Sequence, residues 1–570
     1  MHFSCSSFLN MSANCESDRD KDQEASLPAN TDNDRIQETI GDFGKWQLKI
    51  SILMSLIKFP IAWFQMSIVF LAPPTNFWCK KPDIYENRTD EEWQSLIKPA
   101  AKYIMQTGIN RGYCFMKNLT ADYNNNTQEL IECSSFSYNR SVFVSTITSE
   151  WDLVCSRQKL MDMSQVTLMI GVLLGNIFCG ILADKHGRKN ILMVCLLLQS
   201  VLGIFASITP YFPLFVFIRF CLALANGGTM VISFVMCMEV VGGKWRTIVS
   251  ILYQVPFGFG YALLSGIAYL LRDWRNFHFA ISLLSMLYVG LYWLVPESPR
   301  WLLAIGRTKD AQKILIKAAK ENNIKLINMD ETFSKSVNRL TSRDNRKTIK
   351  FKDLFSTREL RKRSCLIIIN WFIAGMQFFG FIQYIGYISD NLFFTVAVGA
   401  LTSLPGTVLS VFLVSNYGRK LTIIYAFLLT ASCSFLILAF PKGAFSFDWP
   451  RIVLAGTGII GISVSIPAMY LFTGELFPTV LRNSGVGLAM MFSRLGSIIA
   501  PLLVSLQNVA DFLPLLVMGI VAIIQAVLVL FLPETQGKKL PDTIEDLEIR
   551  KYHSNNDAQM DEERKNIPLI

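Results

Sequence analysis

Apolar residues along this chain fall into long runs separated by short polar connections, a pattern unlike the short alternating stretches of a soluble β domain. A run of about 20 apolar residues is long enough for a helix to cross the hydrocarbon core of a bilayer. We therefore predict twelve membrane-spanning helices, called spans 1 to 12 below. Their centres lie near Pro60, Leu173, Leu198, Ala225, Gly260, Leu284, Gly375, Leu401, Leu429, Ile462, Ser493 and Ile520.

Composition supports a membrane protein and argues against an enzyme. The 570 residues are 51% hydrophobic and only 17% charged, with a mean hydropathy of +0.36, which is too apolar for one soluble core. No G-x-x-x-x-G-K-[ST] motif is present, and the 4 histidines are scattered without a spaced Cys and His cluster. We predict no catalytic residues, no metal site and no cofactor.

Charge is distributed unevenly between the predicted loops. Residues 300–363 hold 18 Lys or Arg against 7 Asp or Glu, whereas residues 74–160 hold 10 of each sign. Because cytoplasmic loops carry an excess of Lys and Arg, both termini and the central segment are predicted to be cytoplasmic. Topology and anionic lipid account for this basic surplus, so we predict no nucleic-acid partner.

These patterns predict five regions. They are a disordered cytoplasmic tail (1–45), a six-helix bundle (46–295) with an extracellular loop (74–160), a cytoplasmic amphipathic linker (296–364), a second six-helix bundle (365–533) and a cytoplasmic tail (534–570).

The long loop between spans 1 and 2 has the features of an exposed, oxidised segment. It contains four N-x-[ST] sequons and an even number of cysteines, which favours glycosylation and two disulfides, although three pairings are possible. The sequons are at Asn87, Asn118, Asn125 and Asn139, and the cysteines are Cys79, Cys114, Cys133 and Cys155.

The connection between spans 2 and 3 reads GILADKHGRK (180–189). Its glycines permit a tight reversal, and Asp184 needs a cation such as Arg188 or a helix N-terminus as partner. The string resembles the signature loop of the major facilitator superfamily. That resemblance implies an all-α membrane protein with twelve helices in two six-helix bundles, which this loop latches together on the cytoplasmic side.

The second half of the chain repeats the first in outline. FLVSNYGRK (412–420) follows span 8 as GILADKHGRK follows span 2, and LPETQGKKLP (532–541) answers PESPRWL (296–302). Repeated six-span units are typical of transporters with a site between two bundles. Ser415 stands where Asp184 stands, so a latch that depends on this carboxylate would be weaker in the second half.

Two further strings narrow the resemblance. WDLVC (151–155) closes the long loop, and GELFPTVLRNSGVG (474–487) joins spans 10 and 11. Both resemble the organic cation, anion and zwitterion transporter family, whereas PESPRWL is shared with sugar porters. The family resemblance implies a multi-pass transporter in the plasma membrane.

Charged residues at the inner ends of the spans are candidate gating residues. We expect Glu239 to pair with Arg246, and Glu475 with Arg482, in ion pairs that break when the bundles separate; ordinary loop charge is the alternative interpretation. The complete predicted set is Asp184, Arg188, Glu239, Arg246, Glu297, Arg300, Arg419, Glu475, Arg482 and Glu534.

Two cations interrupt apolar spans. Lys58 lies in span 1, and Arg494 lies about ten residues into span 11, near the midplane. A cation there costs about 2.5 to 3.5 kcal/mol on insertion scales, so each should face the bundle interior or a wet cavity. Lys58 either reaches towards an interface or lines the substrate path, and we predict that Arg494 faces the substrate.

Aromatic and Met residues supply the rest of the predicted site. Met230, Phe234 and Met238 repeat every four residues on one face of span 4, a stripe that favours either core packing or a cavity wall. The predicted substrate-binding set is Lys58, Met230, Phe234, Met238, Tyr253, Gln254, Phe378, Gln383, Tyr470, Phe472 and Arg494.

We therefore predict a plasma-membrane secondary transporter of small organic cations or zwitterions, of carnitine, amino-acid-like or biogenic-amine type, that works by alternating access. Its partners would be a small organic ion, the bilayer and a coupled ion or exchange substrate. In the resembling family, cation carriers tend to have an acid in place of Arg494, and often Trp and Tyr in place of Met230 and Phe378. The alternatives are an organic anion exchanger, which Arg494 cannot separate from a zwitterion carrier, and a non-transporting membrane sensor.

Overall fold

A computed structural model gives the fold of most of the chain. The described residues are 40–82, 85, 87, 89–97, 114–117, 130–243, 245–324, 351–388, 391–441, 443–445, 448–478 and 481–536. Residues 1–39 of the predicted N-terminal tail and two of the four sequons, Asn118 and Asn125, lie outside these ranges.

The described chain is almost entirely helical, and its long helices follow the twelve apolar runs. Span 1 consists of three consecutive helices, Lys45–Leu56, Lys58–Met66 and Ile68–Leu71. Spans 2 to 6 are Gln158–His186, Arg188–Ile208, Phe212–Val240, Trp245–Leu252 with Val255–Leu270, and Trp274–Met286. Spans 7 to 12 are Arg358–Tyr384, Leu392–Tyr417, Arg419–Leu438, Trp449–Leu476, Arg482–Val504 and Leu513–Leu530.

Eleven helices among the described residues are long and apolar enough to cross a membrane. The one predicted span outside this set is span 6. Its α-helix ends at Met286 and continues as a 3₁₀ helix, Leu287–Trp293. A 3₁₀ helix rises about 2.0 Å per residue against 1.5 Å in an α-helix, so the combined segment still covers a span's length. The predicted all-α fold with twelve spans therefore matches the helices of the structure.

Short elements lie at both ends of the bundle. Ile147–Glu150 and Asp90–Ile97 are short helices of the long first loop, while Pro299–Ala304 and Thr308–Glu321 follow span 6. The described parts of the first loop contain four three-residue strands in two antiparallel pairs, β1 (Phe77–Cys79) with β4 (Phe136–Tyr138) and β2 (Phe115–Lys117) with β3 (Leu130–Glu132). The end with these strands is the predicted outer end below, and the opposite end is the predicted inner end.

Disulfides tie the strands of the outer segment together. The structure pairs Cys79 with Cys133 and Cys114 with Cys155, one of the three pairings left open by the sequence. Trp93 is fully buried beside the first pair, and its indole N–H donates to the Cys79 carbonyl at 2.9 Å. The two described sequon residues, Asn87 and Asn139, are exposed, and their glycosylation stays a prediction.

A break in span 1 places its lysine. Pro60 has no N–H to donate to the carbonyl four residues earlier, and proline fits only the first turn of a helix. The first helix accordingly ends at Leu56, and a new helix begins at Lys58. Lys58 is therefore held at a helix junction inside the bundle, where it is only 1% exposed.

Close packing of spans 7 and 11 positions the arginine. Gly375 lies against Ser493, and Gly496 lies against the Phe372 carbonyl, so that a Cβ on either glycine would clash with the other helix. Small residues at such crossings let two membrane helices approach closely. Span 11 is thereby held against span 7 on both sides of Arg494.

Candidate functional site

The two halves of the bundle enclose a cavity of about 130 Å³. Spans 1, 4 and 5 of the first half and spans 7, 8, 10 and 11 of the second half line it. Such a position between two repeated units is where transporters of this architecture bind their substrates. Six of the predicted substrate-binding residues line the cavity, namely Lys58, Met230, Gln254, Phe378, Tyr470 and Arg494.

Lys58 reaches the cavity from the helix junction in span 1. Its Nζ atom lies over the ring of Tyr253, 4.7 Å from the centroid, in a cation–π contact. The Tyr253 hydroxyl is 2.7 Å from Ser233 Oγ, which fixes the ring in place. Of the two interpretations of Lys58, the structure favours lining of the substrate path, because the side chain is buried and borders the cavity.

Arg494 enters the cavity from the other half. Its Nη2 atom donates to the Met230 sulfur at 3.0 Å, and its guanidinium lies 5.7 Å from the centroid of Phe379. A thioether is only a weak acceptor and carries no charge. The contact to Met230 therefore orients the guanidinium across the two halves without neutralising it.

The cavity contains cations but no balancing acid. Within the described part of the chain, neither an Asp nor a Glu lines it, and neither Lys58 nor Arg494 forms an ion pair. A buried cation without a counter-charge is costly, so the site has a strong requirement for an anionic group. The geometry thus favours a ligand that carries a carboxylate or a similar anion.

Sequence reasoning missed several polar residues of the cavity, namely four hydroxyl residues, Ser403, Thr407, Ser463 and Ser493, and the larger Gln65. Gln65 is 1% exposed and lines the cavity from span 1. Its Nε2 atom donates to Asn226 Oδ1 at 2.9 Å, while its Oε1 atom has no hydrogen-bond partner among the described residues. The helical spacing from Lys58, seven residues or two turns earlier, was the available signal.

Five predicted site residues lie away from the cavity wall. Phe234 and Tyr253 form a layer behind it, where Phe234 contacts the rings of Tyr253 and Tyr470 at centroid distances of 5.4 and 6.4 Å. Met238 and Phe472 belong to the hydrophobic cores of the first and second halves and are not among the residues that line the central cavity, so their part in substrate binding stays a prediction. Gln383 borders a separate, smaller cavity nearer the predicted outer end.

A cluster of polar residues, the N-terminal clamp, joins the inner ends of spans 3, 4 and 6. Arg188 Nη1 lies 2.6 Å from Glu239 Oε1, and Ser298 Oγ donates to Glu239 Oε2 at 2.5 Å. The Glu297 carboxylate accepts the backbone N–H groups of Arg188 and Lys189, each at 3.1 Å. A carboxylate is favoured there because those groups are the free donors at the N-terminus of span 3.

The second half contains the same arrangement, the C-terminal clamp. Arg419 Nη2 lies 2.9 Å from Glu475 Oε1, and Thr535 Oγ1 donates to Glu475 Oε2 at 2.5 Å. The Glu534 carboxylate accepts the backbone N–H groups of Arg419 and Lys420, at 3.3 and 3.0 Å. The clamp thus reproduces each interaction of its counterpart.

The clamps correct the predicted gating pairs. Glu239 pairs with Arg188 rather than Arg246, and Glu475 pairs with Arg419 rather than Arg482. Each of these ion pairs stays within one half, so they brace the bundles individually instead of latching them to each other. Asp184 does contact Arg188 at 3.2 Å, as expected, but its side chain is 72% exposed.

The remaining gating candidates form a basic group at the predicted inner end. Burial, then the neighbouring Arg246, lowers the pKa of Arg300 to about 10. Arg246 lies close enough to Arg482 for the two positive charges to repel each other, whereas Glu239 attracts Arg246. Arg246 and Arg482 belong to different halves, so like charges face each other across the inner end.

Comparisons with known proteins agree with this architecture. A family model described as "Sugar (and other) transporter" matches residues 101–547. The chain is 31% identical to the "Organic cation transporter protein" of Drosophila melanogaster, over 90% of this chain and 94% of that protein. It is 33% identical to mouse "Solute carrier family 22 member 3", over 90% of this chain and 95% of that protein.

The chain belongs to the solute carrier 22 family of organic ion transporters. Its fold is that of the major facilitator superfamily, since it resembles the inward-open xylose transporter XylE from E. coli with a TM-score of 0.60. That match covers 88% of this chain and 99% of the other at 17% identity, and so concerns the fold alone. This solute carrier is a multi-pass membrane protein and a secondary transporter of organic ions, not an enzyme.

Proposed function

We propose that this solute carrier lies in the plasma membrane and moves small organic zwitterions, of the carnitine or amino-acid-like type, by alternating access. The observation that carries the proposal is the pair of buried cations in the central cavity, Lys58 and Arg494, with no acid beside them among the described residues. A substrate carboxylate would supply the missing charge, and a guanidinium binds a carboxylate through two parallel hydrogen bonds.

Aromatic side chains support a second, positively charged group on the substrate. Trp371, Phe378, Phe379 and Tyr470 line the same cavity. The faces of such rings attract quaternary and primary ammonium groups. The cavity therefore suits a zwitterion better than the simple organic cation also predicted from the sequence, because a simple cation would meet only like charge at Lys58 and Arg494.

Alternating access is supported by the way the cavity is built. Its lining comes from two repeated halves, each braced at its inner end by its own clamp. The contacts that cross the cavity include Arg494 with Met230 and the ring pair Phe257–Phe378 at 6.2 Å, and neither is an ion pair. Two helix bundles, each held together by its own clamp and touching through contacts that can break and re-form, can rock about a central site.

Uptake measurements test the proposal. Cells expressing the full chain would be given radiolabelled carnitine, β-alanine, tetraethylammonium and an aromatic carboxylate, with and without sodium. We expect uptake of the two zwitterions and little uptake of tetraethylammonium. Arg494→Gln should lower zwitterion uptake about tenfold or more, since a hydrogen bond to a charged group is worth about 1.5–3 kcal/mol, and Arg494→Lys should retain part of it.

The control removes a positive charge elsewhere. Lys313→Gln alters a lysine that is 79% exposed on the helix Thr308–Glu321 and should leave uptake unchanged. Surface biotinylation of each variant separates lost transport from lost delivery to the plasma membrane. Uptake of tetraethylammonium without zwitterion uptake would refute the proposal, and uptake of the aromatic carboxylate alone would establish the organic anion alternative.

A further inference from the structure

We propose that a second cavity, bounded by Asp162, Gln383 and Tyr387, is an outer binding site for the ammonium group of the arriving substrate. This inference rests on the proposed function and adds a charge filter in front of the central cavity. The outer cavity measures about 40 Å³, and both halves line it. A single water needs about 10–15 Å³ of such volume, so the outer cavity has room for about three waters or for one ammonium head in their place.

Asp162 supplies the negative charge of this site. It lies in the first turns of span 2, is half-buried, and forms no ion pair with any described residue. Arg219, a buried cation on the neighbouring span 4, donates to Ser164 and Gln165, each at 2.9 Å, and forms no ion pair with Asp162. The carboxylate therefore has no cation to neutralise it within the described structure.

Gln383 provides an independent sign of a missing ligand. Its side chain is 7% exposed and lines the outer cavity from span 7, opposite Asp162. Its Nε2 atom has no hydrogen-bond partner among the described residues. Buried polar atoms are almost always satisfied in native structures, and the two ends of the amide can exchange by a flip of the side chain. The amide can thus donate to water or accept from an ammonium group.

The position of the site fits a route into the protein. A vestibule of about 380 Å³ at the predicted outer end shares Ala72, Pro74, Met161, Gly386 and Tyr387 with the outer cavity. On its inner side, Gln165 lines the outer cavity and donates to the carbonyl of Gln65, which lines the central cavity. A substrate from outside would meet an acid first and two cations afterwards.

This order of charges has a consequence for selectivity. A zwitterion is attracted in both cavities, by its ammonium group at Asp162 and by its carboxylate at Lys58 and Arg494. A simple anion is repelled in the outer cavity, and a simple cation is repelled in the central cavity. Opposite charges in series therefore discriminate zwitterions from both single-charge classes.

Binding of half-substrates to the purified full chain tests the site without requiring transport. Methylammonium carries only the cation, and propionate carries only the carboxylate. We expect methylammonium to raise the thermal unfolding midpoint of the wild type, and Asp162→Asn to weaken its binding about tenfold while propionate binding is unchanged. Arg494→Gln should give the reverse result, and Asp162→Glu should restore methylammonium binding.

Controls make each outcome decisive. Glu91→Gln removes an exposed acid of the outer segment and should change neither interaction. Equal methylammonium binding to the wild type and Asp162→Asn, or no binding to the wild type, would overturn the inference. Stabilisation by sodium but not methylammonium would also overturn it, since the site would then hold a metal cation.

Uptake assays distinguish a failure of the outer binding site from a failure of the proposed function. In uptake assays Asp162→Asn should raise the KM for β-alanine about tenfold and leave its maximal rate nearly unchanged. If methylammonium binds through Asp162 but neither β-alanine nor carnitine is carried, the proposed function fails and the outer site stands. If β-alanine is carried with the same KM by the wild type and the variant, the outer site fails and the proposed function stands.

Discussion

The N-terminal and C-terminal clamps are built from the same parts but differ at one position. Each pairs an arginine after a glycine turn with a glutamate at the end of the fourth helix of its half, Arg188 with Glu239 and Arg419 with Glu475. The first clamp has an additional acid, Asp184, where the second has Ser415. Since the second clamp keeps its ion pair without that acid, the signature carboxylate is an accessory and the glutamate at the helix end is the main partner.

The backbone around the differing position is the same in both halves. The Trp301 indole donates to the Asp184 carbonyl at 2.7 Å, and the Gln536 amide donates to the Ser415 carbonyl at 3.0 Å. Trp301, four residues after Glu297, and Gln536, two residues after Glu534, thus bind equivalent carbonyls. The difference between the halves is therefore one of charge and not of geometry.

The largest effect on the free energy of unfolding is expected when Glu475, the glutamate at the end of span 10, is replaced. Glu475→Gln should cost about 3 kcal/mol, the lower end of the range found when one partner of a buried ion pair is removed, because Arg419 and Glu475 are only 21% and 14% exposed and Arg419 has no second acidic partner comparable to Asp184 among the described residues. Glu239→Gln should cost less, about 2 kcal/mol, since Arg188 retains Asp184. Unfolding of the purified protein by titration with dodecyl sulfate measures both free energies.

A compensating substitution tests the reason for that difference. Ser415→Asp in the Glu475→Gln protein should recover part of the lost free energy of unfolding, because it restores an acid one helical turn before Arg419. Equal losses for the two glutamate variants, with no recovery from Ser415→Asp, would contradict the role assigned to the accessory acid.

An intermediate and equal effect is expected at the glycine turns. Gly187 and Gly418 have φ angles of +102° and +89° with extended ψ, a conformation nearly restricted to glycine. Alanine at either position should cost about 2 kcal/mol, and its Cβ would lie within 3.0 Å of the Glu297 or Glu534 carboxylate. The same titration checks this, and clearly unequal losses would show that the two turns are not equivalent.

The smallest effect is expected for the accessory acid itself. Asp184→Asn should cost about 0.5 kcal/mol, as is usual for an exposed ion pair. Because salt screens exposed charges, the loss should shrink further at high ionic strength. A loss as large as that of Glu239→Gln, measured in low and high salt, would show that the first clamp depends on Asp184 after all.

Much of the fold was predictable because membrane insertion depends on local properties. Apolar runs long enough to span a bilayer can be counted directly, and the twelve predicted centres fall within twelve helical segments. Span 6 departs from a regular helix, and its 3₁₀ segment had no clear signal in the sequence. The repeated strings around Gly187 and Gly418 also predicted two equivalent turns, which the structure contains.

The candidate site was predictable only in part. Lys58 and Arg494 were identified because charged residues are scarce and costly within apolar spans. Met238 and Phe472 do not line the central cavity, and nothing in the sequence indicated this, because a Met or aromatic residue has the same local pattern whether it faces a cavity or a core. Their orientation depends on the neighbouring helices and not on the residues themselves.

The sequence by itself determined that this solute carrier crosses the membrane in two related halves and carries two cations within apolar spans. Hydropathy, charge and repeated strings can all be recognised from local stretches of sequence. Only the tertiary structure decided which polar residues meet. Arg188 lies 51 residues from Glu239, and Asp162 lies more than 200 residues from Gln383. Such pairings are set by the packing of helices from distant parts of the chain, and this packing also separates an acidic outer cavity from a basic central one.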